Sequence, residues 1–511
     1  MPRHRTAEAT KAVQWSRAWS IAVLAGLAPG MTWAQADAPA PAWPETLVIS
    51  LRECTERALE LGEEMLRAEA DRDAAHGYYR QARADVFPQL VLGSTYTRRF
   101  QSVFSQEGGF GSIQPFEPDT LAPLDQRVRD LEIALPTAPF ASLSGLFDAG
   151  PFASAHSYDV RLGLSQKVFE GGSIVAAVRA AKHALRAFEN RREDRGAEVR
   201  LLVREAYLAA LLADRAVSIT ELGLEQAETQ LRRVRARADA GQTSEFELLQ
   251  AEVQRDNQYP FVRAAENSRD VAYLRLASFA NLPVNSTLVL RTPLLAGVEL
   301  PPQPLATIDT TGIFSAALRN LGIAAFEEEV KAREAAVTVA GRDAWPALSL
   351  FGTYSQQAFP RDGWPSQDEW VQDANADAAL SWKLFDGLRT RGQVQTSRAE
   401  ASRSRYDLQQ ARESIQLLVE QQIGELMRAA ELLRSRTRTA QLARRAMELA
   451  NLRFEEGASS LLEVEDARTA LQTAELSEAS ARHDYLSALA RLERYTGRPM
   501  FSDLIAQSGN E

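Results

Sequence analysis

Leu164-Ser-Gln-Lys-Val-Phe-Glu-Gly171 is written a second time in the chain, as Leu380-Ser-Trp-Lys-Leu-Phe-Asp-Gly387. Two further anchors follow in step. Ala240-Gly-Gln-Thr-Ser-Glu-Phe-Glu-Leu-Leu-Gln-Ala251 returns as Glu456-Gly-Ala-Ser-Ser-Leu-Leu-Glu-Val-Glu-Asp-Ala467, and Arg275-Leu-Ala-Ser-Phe-Ala-Asn-Leu-Pro283 as Arg491-Leu-Glu-Arg-Tyr-Thr-Gly-Arg-Pro499. Every pair is offset by 216 positions (Leu164 to Leu380), so the chain holds two copies of one unit. Each copy reads as a short alternating segment, a very long helix, a Gly-containing turn and a returning helix.

Pro is absent from Phe152 to Tyr259 and from Ser366 to Arg498, and these tracts are rich in Ala, Arg, Glu, Gln and Leu. Such composition predicts extended helices. From Gly172 to about Asp239 nothing forces a break, which at 1.5 Å per residue is a helix on the order of 100 Å long. Val199, Leu202, Ala206, Ala209, Ala213 and Ala216 suggest a coiled-coil seam of small side chains. Leu461, Val464, Ala467, Leu471 and Ala474 give the apolar stripe of the second returning helix. Pro260 stands where the second copy has Leu476, so the first returning helix is expected to kink or break there. Helices are also expected over Leu51–Asp85, ending at Phe87-Pro88, and over Ile313–Ala340.

Ahead of each long helix the period changes to two. Leu90, Leu92 and Tyr96 alternate with Val91, Gly93, Thr95 and Thr97, and Val160, Leu162, Leu164 and Val168 with Arg161, Gly163, Ser165 and Lys167. The second copy alternates Leu348, Leu350 and Tyr354, then Ala378, Leu380, Trp382 and Leu384. Gln101–His156 is a long Gly, Pro and Ser-rich loop with local helix near Leu124–Leu135, and Phe359–Asn375 is a shorter one. Phe87, Phe169, Trp345 and Phe385 at the strand bases, with Trp364 and Trp370 in the second loop, suit membrane-interface belts; packing of a soluble sheet is the plainer reading.

The expected organisation is a signal peptide over 1–36 and a first repeat over 37–283 with its hairpin at 88–168. A Pro-rich connector follows over 284–310, then a second repeat over 311–499 with its hairpin at 346–385, and a short tail over 500–511. The signal rests on Arg3, Arg5, Lys11 and Arg17 before an apolar run from Ser20, with Ala34-Gln-Ala36 at cleavage spacing. The run is too short to span a bilayer, and no later segment reaches the roughly 20 apolar residues a membrane helix needs. The chain of 511 residues is mildly acidic, with a net charge of −10. One cysteine, Cys54, excludes a disulfide framework and any multi-Cys metal cluster, and is expected as a buried helix residue.

Four strands with one continuous apolar face must bury that face, and the helices are too polar all round to cover it. Lipid would serve, but a membrane sheet must close. The smallest such barrels use about eight strands, so the chain is expected to pool strands with copies of itself, three copies giving twelve.

These residues resemble the TolC family of outer-membrane efflux proteins. The likeness runs through Ser50-Leu-Arg-Glu-Cys-Thr-Glu-Arg-Ala-Leu-Glu60, Ala84-Asp-Val-Phe-Pro-Gln-Leu90, Leu384-Phe-Asp-Gly387, Arg453-Phe-Glu-Glu-Gly457 and Tyr495-Thr-Gly-Arg-Pro499. It implies a mainly helical chain with a small β part, assembling as a homotrimer. A twelve-strand barrel would sit in outer-membrane lipid and a twelve-helix α-barrel in the periplasm. The implied partners are a periplasmic adaptor protein and an inner-membrane pump of RND, ABC or MFS type. The implied role is passive conduction of small toxic compounds or drugs to the exterior. A type I protein-secretion duct is the alternative within the family, and a periplasmic coiled-coil scaffold without a pore the alternative outside it.

No enzyme, metal or cofactor motif is present: His76, His156, His183 and His483 are scattered, no Gly-rich phosphate loop follows a strand, and the six Met do not cluster. Arginines alternate with acids, which argues against nucleic acid. The candidate site is at the turns. Gly241 and Gly457 mark them, and Ser244-x-x-Glu247 and Ser460-x-x-Glu463 predict capping boxes at the returning helices. Capping does not account for Asp466. The resemblance places Glu463 and Asp466 in rings of acids at a constricted periplasmic mouth, with Glu247 nearby, where they would attract cations. Phe454 and Ser459 depart from a tyrosine and an arginine of the family's closing network. Arg237 and Arg453, before the two turns, are candidate adaptor contacts, although solvated surface arginines are the plainer reading.

Overall fold

The computed structural model describes residues 46–100, 119–136, 154–283, 287–291, 310–360, 363–456 and 458–501. The signal peptide, most of the 101–156 loop and of the 284–310 connector, Gly457 and the tail after 501 lie outside the described residues.

The two long helices are α4 (Ser173–Asp239) and α8 (Arg389–Glu455), each of 67 residues and on the order of 100 Å long. Their ends correspond residue for residue under the 216-position repeat (Ser173 to Arg389, Asp239 to Glu455). Each has two shorter partners laid end to end. Along α4, α2 (Glu63–Ala84) packs against the half near the sheet and α5 (Glu245–Phe279) against the half near the turn. Along α8, α7 (Leu321–Ala340) and α9 (Leu461–Thr496) do the same. The helices therefore form two stacked rows, α2-α4-α7-α8 and α5-α4-α9-α8.

Asparagines fasten the stacked ends. Asn281 takes a left-handed conformation (φ 51°) just after α5 and its Nδ2 donates to Leu61 O at 2.8 Å. Asn320 caps α7, accepting from Gly322 N at 2.9 Å, while its Nδ2 donates to Tyr495 O near the end of α9 at 3.0 Å. Both junctions thus satisfy carbonyls that a helix end leaves open.

Three helix expectations need correction. Leu51–Asp85 is two helices, α1 (Leu51–Leu61) and α2, parted at Gly62. A Cβ on Gly62 would stand 2.3 Å from Ala58 O, so only glycine fits. Ile313–Ala340 likewise divides into α6 (Thr310–Ala317) and α7 at Asn320. The helix α5 runs unbroken through Pro260, which sits on an exposed side where water can reach the carbonyl its ring leaves unbonded. The long-helix seam is also rephased: Val199 and Ala206 are buried, but Leu202, Ala209, Ala213 and Ala216 are only half-buried, while Val203, Tyr207, Leu208, Ala210 and Val217 are buried.

The sheet is antiparallel, in the order β2 (Gln89–Arg98), β3 (His156–Glu170), β5 (Ala347–Ala358), β6 (Trp370–Ser381). The strand β6 therefore begins inside the expected Phe359–Asn375 loop and ends before Trp382 and Leu384, which leave the strand face. A bulge between Lys167 and Phe169 sets Val168 outside the ladder and brings Phe169 opposite Leu348. Helix α3 (Leu124–Ala134) occupies the expected place in the long loop. Two elements were unforeseen: β1 (Thr46–Ile49) and β4 (Thr287–Leu290) pair in parallel, the latter within the stretch read as a connector.

Strand-to-helix turns use consecutive left-handed residues: Gly171 and Gly172 (φ 59° and 77°) and Gly387 and Leu388 (both φ 67°). The second copy thus turns on one glycine, not two, and the Asp386 carboxylate compensates by accepting from Thr390 N at 2.8 Å. At Gly171 an added Cβ would stand 2.7 Å from the Trp345 ring, so Gly171→Ala should lower thermal stability whereas Gly172→Ala, which meets only φ strain, should cost less.

Cys54 is fully buried in the main core between α1 and its neighbours, and burial pushes its thiol up to about 12. Folded protein at pH 8 should resist maleimide, and denatured protein should label fully; rapid labelling of the native state would contradict this packing.

Candidate functional site

Register fixes which side chains share a face of the sheet. One face carries Leu90, Leu92 and Tyr96 of β2 opposite Leu164, Leu162 and Tyr158 of β3. It continues through Tyr354, Leu350 and Leu348 of β5 to Ala374, Ala378 and Leu380 of β6. The other face carries Asp159, Arg161, Ser165 and Lys167, then Thr353 and Ser355, then Asp373, Asn375 and Asp377, with Val91, Phe351 and Val371 as apolar exceptions. Among the described residues no helix lies over either face: Leu90 is 64% exposed, Leu162 37% and Leu380 72%. Among the described residues, β2 and β6 are also free edges.

Aromatic side chains gather at both ends of the apolar face. At the helix end stand Phe87, Phe169, Trp345 and Phe385, all exposed, with Trp345 laid over Gly171. At the far end the Tyr96 and Tyr158 rings approach to 4.8 Å, and Trp364 meets Tyr158 edge-on at 5.2 Å. Aromatic rows on either side of an apolar band are a recurrent feature of barrels in lipid. Among the described residues no helix is long and apolar enough to cross a membrane.

The far tips of the long helices hold the charged candidates. The chain leaves α4 through Gly241 (φ 71°), with Gln242 N donating to Arg237 O at 2.8 Å, and Ala458 N donates to Arg453 O at 2.8 Å in the second turn. At the first turn this is the bond of a helix closed by a left-handed residue. Ser244 then caps α5, accepting from Glu247 N at 3.3 Å, and Ser460 caps α9, accepting from Glu463 N at 3.4 Å. Neither expected capping box is reciprocal. Hydroxyls just outside each helix take the glutamates instead: Thr243 bonds Glu247, and Ser459 Oγ donates to Glu463 Oε2 at 2.7 Å. Reciprocal boxes close elsewhere, at Ser50–Glu53 and Ser366–Glu369.

Glu463 and Asp466 are exposed and three residues apart on α9, so they share one helix face. Glu247 is exposed at the start of α5, and the first repeat has Gln250 where the second has Asp466. Arg237 lies over the Phe454 ring at 5.3 Å, and Phe454 is buried in a small apolar cluster at the tip. Arg453 is turned back onto its own loop, donating to Ala458 O at 3.2 Å and approaching Glu463 to 3.9 Å. Phe454 and Ser459, the two departures noted in the sequence, thus make tip contacts of their own.

The model of the family described as outer membrane efflux protein matches residues 55–282 and 313–498, one segment per repeat. The chain belongs to that family. Its members are trimeric outer-membrane channels of tripartite pumps, so this efflux protein is a channel and not an enzyme, with its helical part extending into the periplasm. Solved structures with the same fold include the Campylobacter jejuni CmeC outer membrane channel, with a TM-score of 0.67 and 15% identity over 90% of this chain and 89% of that one. Another is the open state of the Neisseria gonorrhoeae MtrE outer membrane channel, with a TM-score of 0.66 and 19% identity over 88% of each. Nodulation protein T of Rhizobium leguminosarum bv. viciae is 26% identical over 278 residues, 54% of this chain. That match spans 56% of the relative's own length.

For an efflux protein the sheet's two faces have opposite tolerances. Leu162→Arg, on the apolar face at mid-strand, should cost about 2–4 kcal/mol in lipid, and Thr353→Arg on the polar face far less. Heat-dissociation of the assembly extracted from outer membranes, run on gels, reads the difference; equal sensitivity would contradict the assignment of faces.

Proposed function

We propose that three copies of this chain close a pore through which small toxic compounds or drugs leave passively, supplied through a periplasmic adaptor by an inner-membrane pump. The observation that carries the reading is a shared incompleteness. The four-strand row ends in the free edges β2 and β6, and the lower helix row ends in α5 and α8. Phe246, Leu249 and Val253 form an exposed apolar stripe on α5, and Leu442, Leu449 and Leu452 one on α8. Edge pairing of β6 with β2 of the next copy, and packing of α8 on its α5, would complete both rows by one rotation. Such head-to-tail contacts form a ring when the rotation closes. Three copies supply twelve strands and twelve helix positions in each layer.

In that ring Glu463 and Asp466 would place six carboxylates around the periplasmic mouth, with three Glu247 near them. A narrow ring of acids concentrates cations and invites block by multivalent ones. The plainer role of Glu247 and Glu463, holding the hydroxyls of Thr243 and Ser459, is compatible with this, because each carboxylate stays exposed. Asp466 has no such duty. The adaptor contact assigned to Arg237 and Arg453 is weaker support, since Phe454 and Ala458 O engage both arginines within the tip. The exposed turn itself remains the surface offered to an adaptor.

Purified protein should run as a trimer and conduct ions in planar bilayers. Glu463→Gln with Asp466→Asn should raise by about tenfold the concentration of a trivalent cation needed to block current. Unchanged block would remove these residues from the mouth, and a monomer without conductance would end the proposal.

A further inference from the structure

The apolar core of this chain is in two pieces. The main core runs through α1, α4, α8 and α9, and a separate island at the tip joins Leu231 and Val234 of α4, Ala251 of α5, Met447 and Phe454 of α8, and Leu461 and Val464 of α9. Where α9 crosses α4 just above that island, the packing turns polar. Glu465 and Arg468 of α9 are each only 6% exposed, and Thr220, Gly223 and Gln258 are buried beside them. Glu465 and Arg468 also border a cavity of about 260 Å³.

The two buried charges make no ion pair with each other. Arg468 Nη1 donates to Gly223 O at 3.3 Å, while Glu465 Oε2, Gln258 Oε1 and Gln230 Nε2 are buried with no protein partner. A buried polar group without a partner is costly, so these atoms call for water. The charges facing the cavity are Glu225 and Arg233 from α4 and Glu465 and Arg468 from α9, while α5 and α8 present the amides of Gln254 and Asn451. Two acids and two bases leave the lining without net charge, which suits water better than an ion. Nor is the feature a by-product of the duplication. The equivalent residues of the first repeat are Leu249, which is exposed, and Glu252, which pairs with Arg235 at 2.8 Å on the surface of the hairpin.

We propose that Glu465 and Arg468 are positioning residues of the mouth, holding a hydrated joint at which α9 shifts on α4 and carries Glu463 and Asp466 between narrow and wide arrangements. Glu465 sits on the same turn of α9 as Glu463 and Asp466 but points inward where they are exposed, so any shift at the joint moves the acids with it. Interlocked apolar side chains resist sliding, because each must leave a packed socket. A water-filled polar seam exchanges one set of hydrogen bonds for another, and the tip island can repack without opening the main core. The inference rests on the assignment of Glu463 and Asp466 to the mouth.

The test replaces the joint in the full-length trimer and reads single-channel behaviour in planar bilayers. Glu465→Leu with Arg468→Met should assemble with unchanged or raised heat stability, since buried charges exchanged for apolar side chains are often neutral or stabilising. It should also open about tenfold less often while keeping wild-type block by trivalent cations. Glu465→Gln, which keeps the shape and the hydrogen bonding, should restore near-normal opening. As a second measurement, Gly223→Cys with Gln472→Cys, placed where a Cβ on Gly223 would lie 3.4 Å from the Gln472 side chain, should lower conductance when oxidised and recover it on reduction. The buried Cys54 would not compete. Wild-type opening in the folded Leu/Met variant, or indifference of current to the disulfide, overturns the joint. Unchanged block in the Glu463→Gln/Asp466→Asn variant overturns the mouth assignment instead, so the two failures are distinct.

Discussion

Unpaired backbone at the two edges of the sheet is the constraint on which the molecule depends. A strand edge facing hydrocarbon leaves amide and carbonyl groups that neither lipid nor side chains can satisfy, at several kcal/mol apiece. Among the described residues the sheet ends on β2 and β6 with neither edge paired and no helix over either face. The helical rows below obey the same geometry, ending in α5 or α2 on one side and α8 on the other. Strand row and helix row are built in register from the same two repeats, so whatever closes one closes the other.

The joins between sheet and helices follow from local chemistry. A strand that passes into a helix must change backbone conformation and heading over two residues, and the chain does so with two successive left-handed conformations. The first copy meets the requirement with Gly171 and Gly172; the second retains only Gly387 and holds Leu388 in place with the Asp386–Thr390 bond. Below, two helices laid end to end match one uninterrupted helix of 67 residues, and Asn281 and Asn320 supply the donors that a helix–helix junction needs. Ion pairs across the helical surfaces are mostly exposed and add little each; Arg204–Glu493 is among the few that are largely buried, at 2.8 Å, and Glu493 also accepts from the amides of Met500 and Phe501 and so ties those residues to α9.

The tip shows how duplication and divergence combine. Both repeats keep the turn, the serine cap and a hydroxyl-bound glutamate, because each returning helix needs its first amides satisfied wherever it sits. Only the second repeat adds Asp466 outside and Glu465 with Arg468 inside, because only α9 has α4 of the other repeat against its inner face. The position of a helix in the row, not its ancestry, sets which residues it can bury.

What the amino-acid order determined by itself was everything of short range or strict period: the two repeats, the extent of the 67-residue helices, the alternation that sorts Leu90, Leu162, Leu350 and Leu380 onto one face, and the serine caps. These follow from the helical and strand periods and from capping chemistry acting within a few residues. Other features were decided only by tertiary structure. Breaks at Gly62 and Asn320 depend on where a second helix end arrives. The bulge at Val168 depends on the partner strand, and the pairing of β1 with β4 joins segments 241 positions apart (Thr46 to Thr287). The seam of α4 moved from Leu202, Ala209 and Ala216 to Val203, Ala210 and Val217 because a helix with neighbours on several sides has more than one apolar stripe, and composition cannot say which neighbour claims which. Glu465 and Arg468 look like ordinary surface charges in the sequence, since burial of a charge is a property of what packs over it.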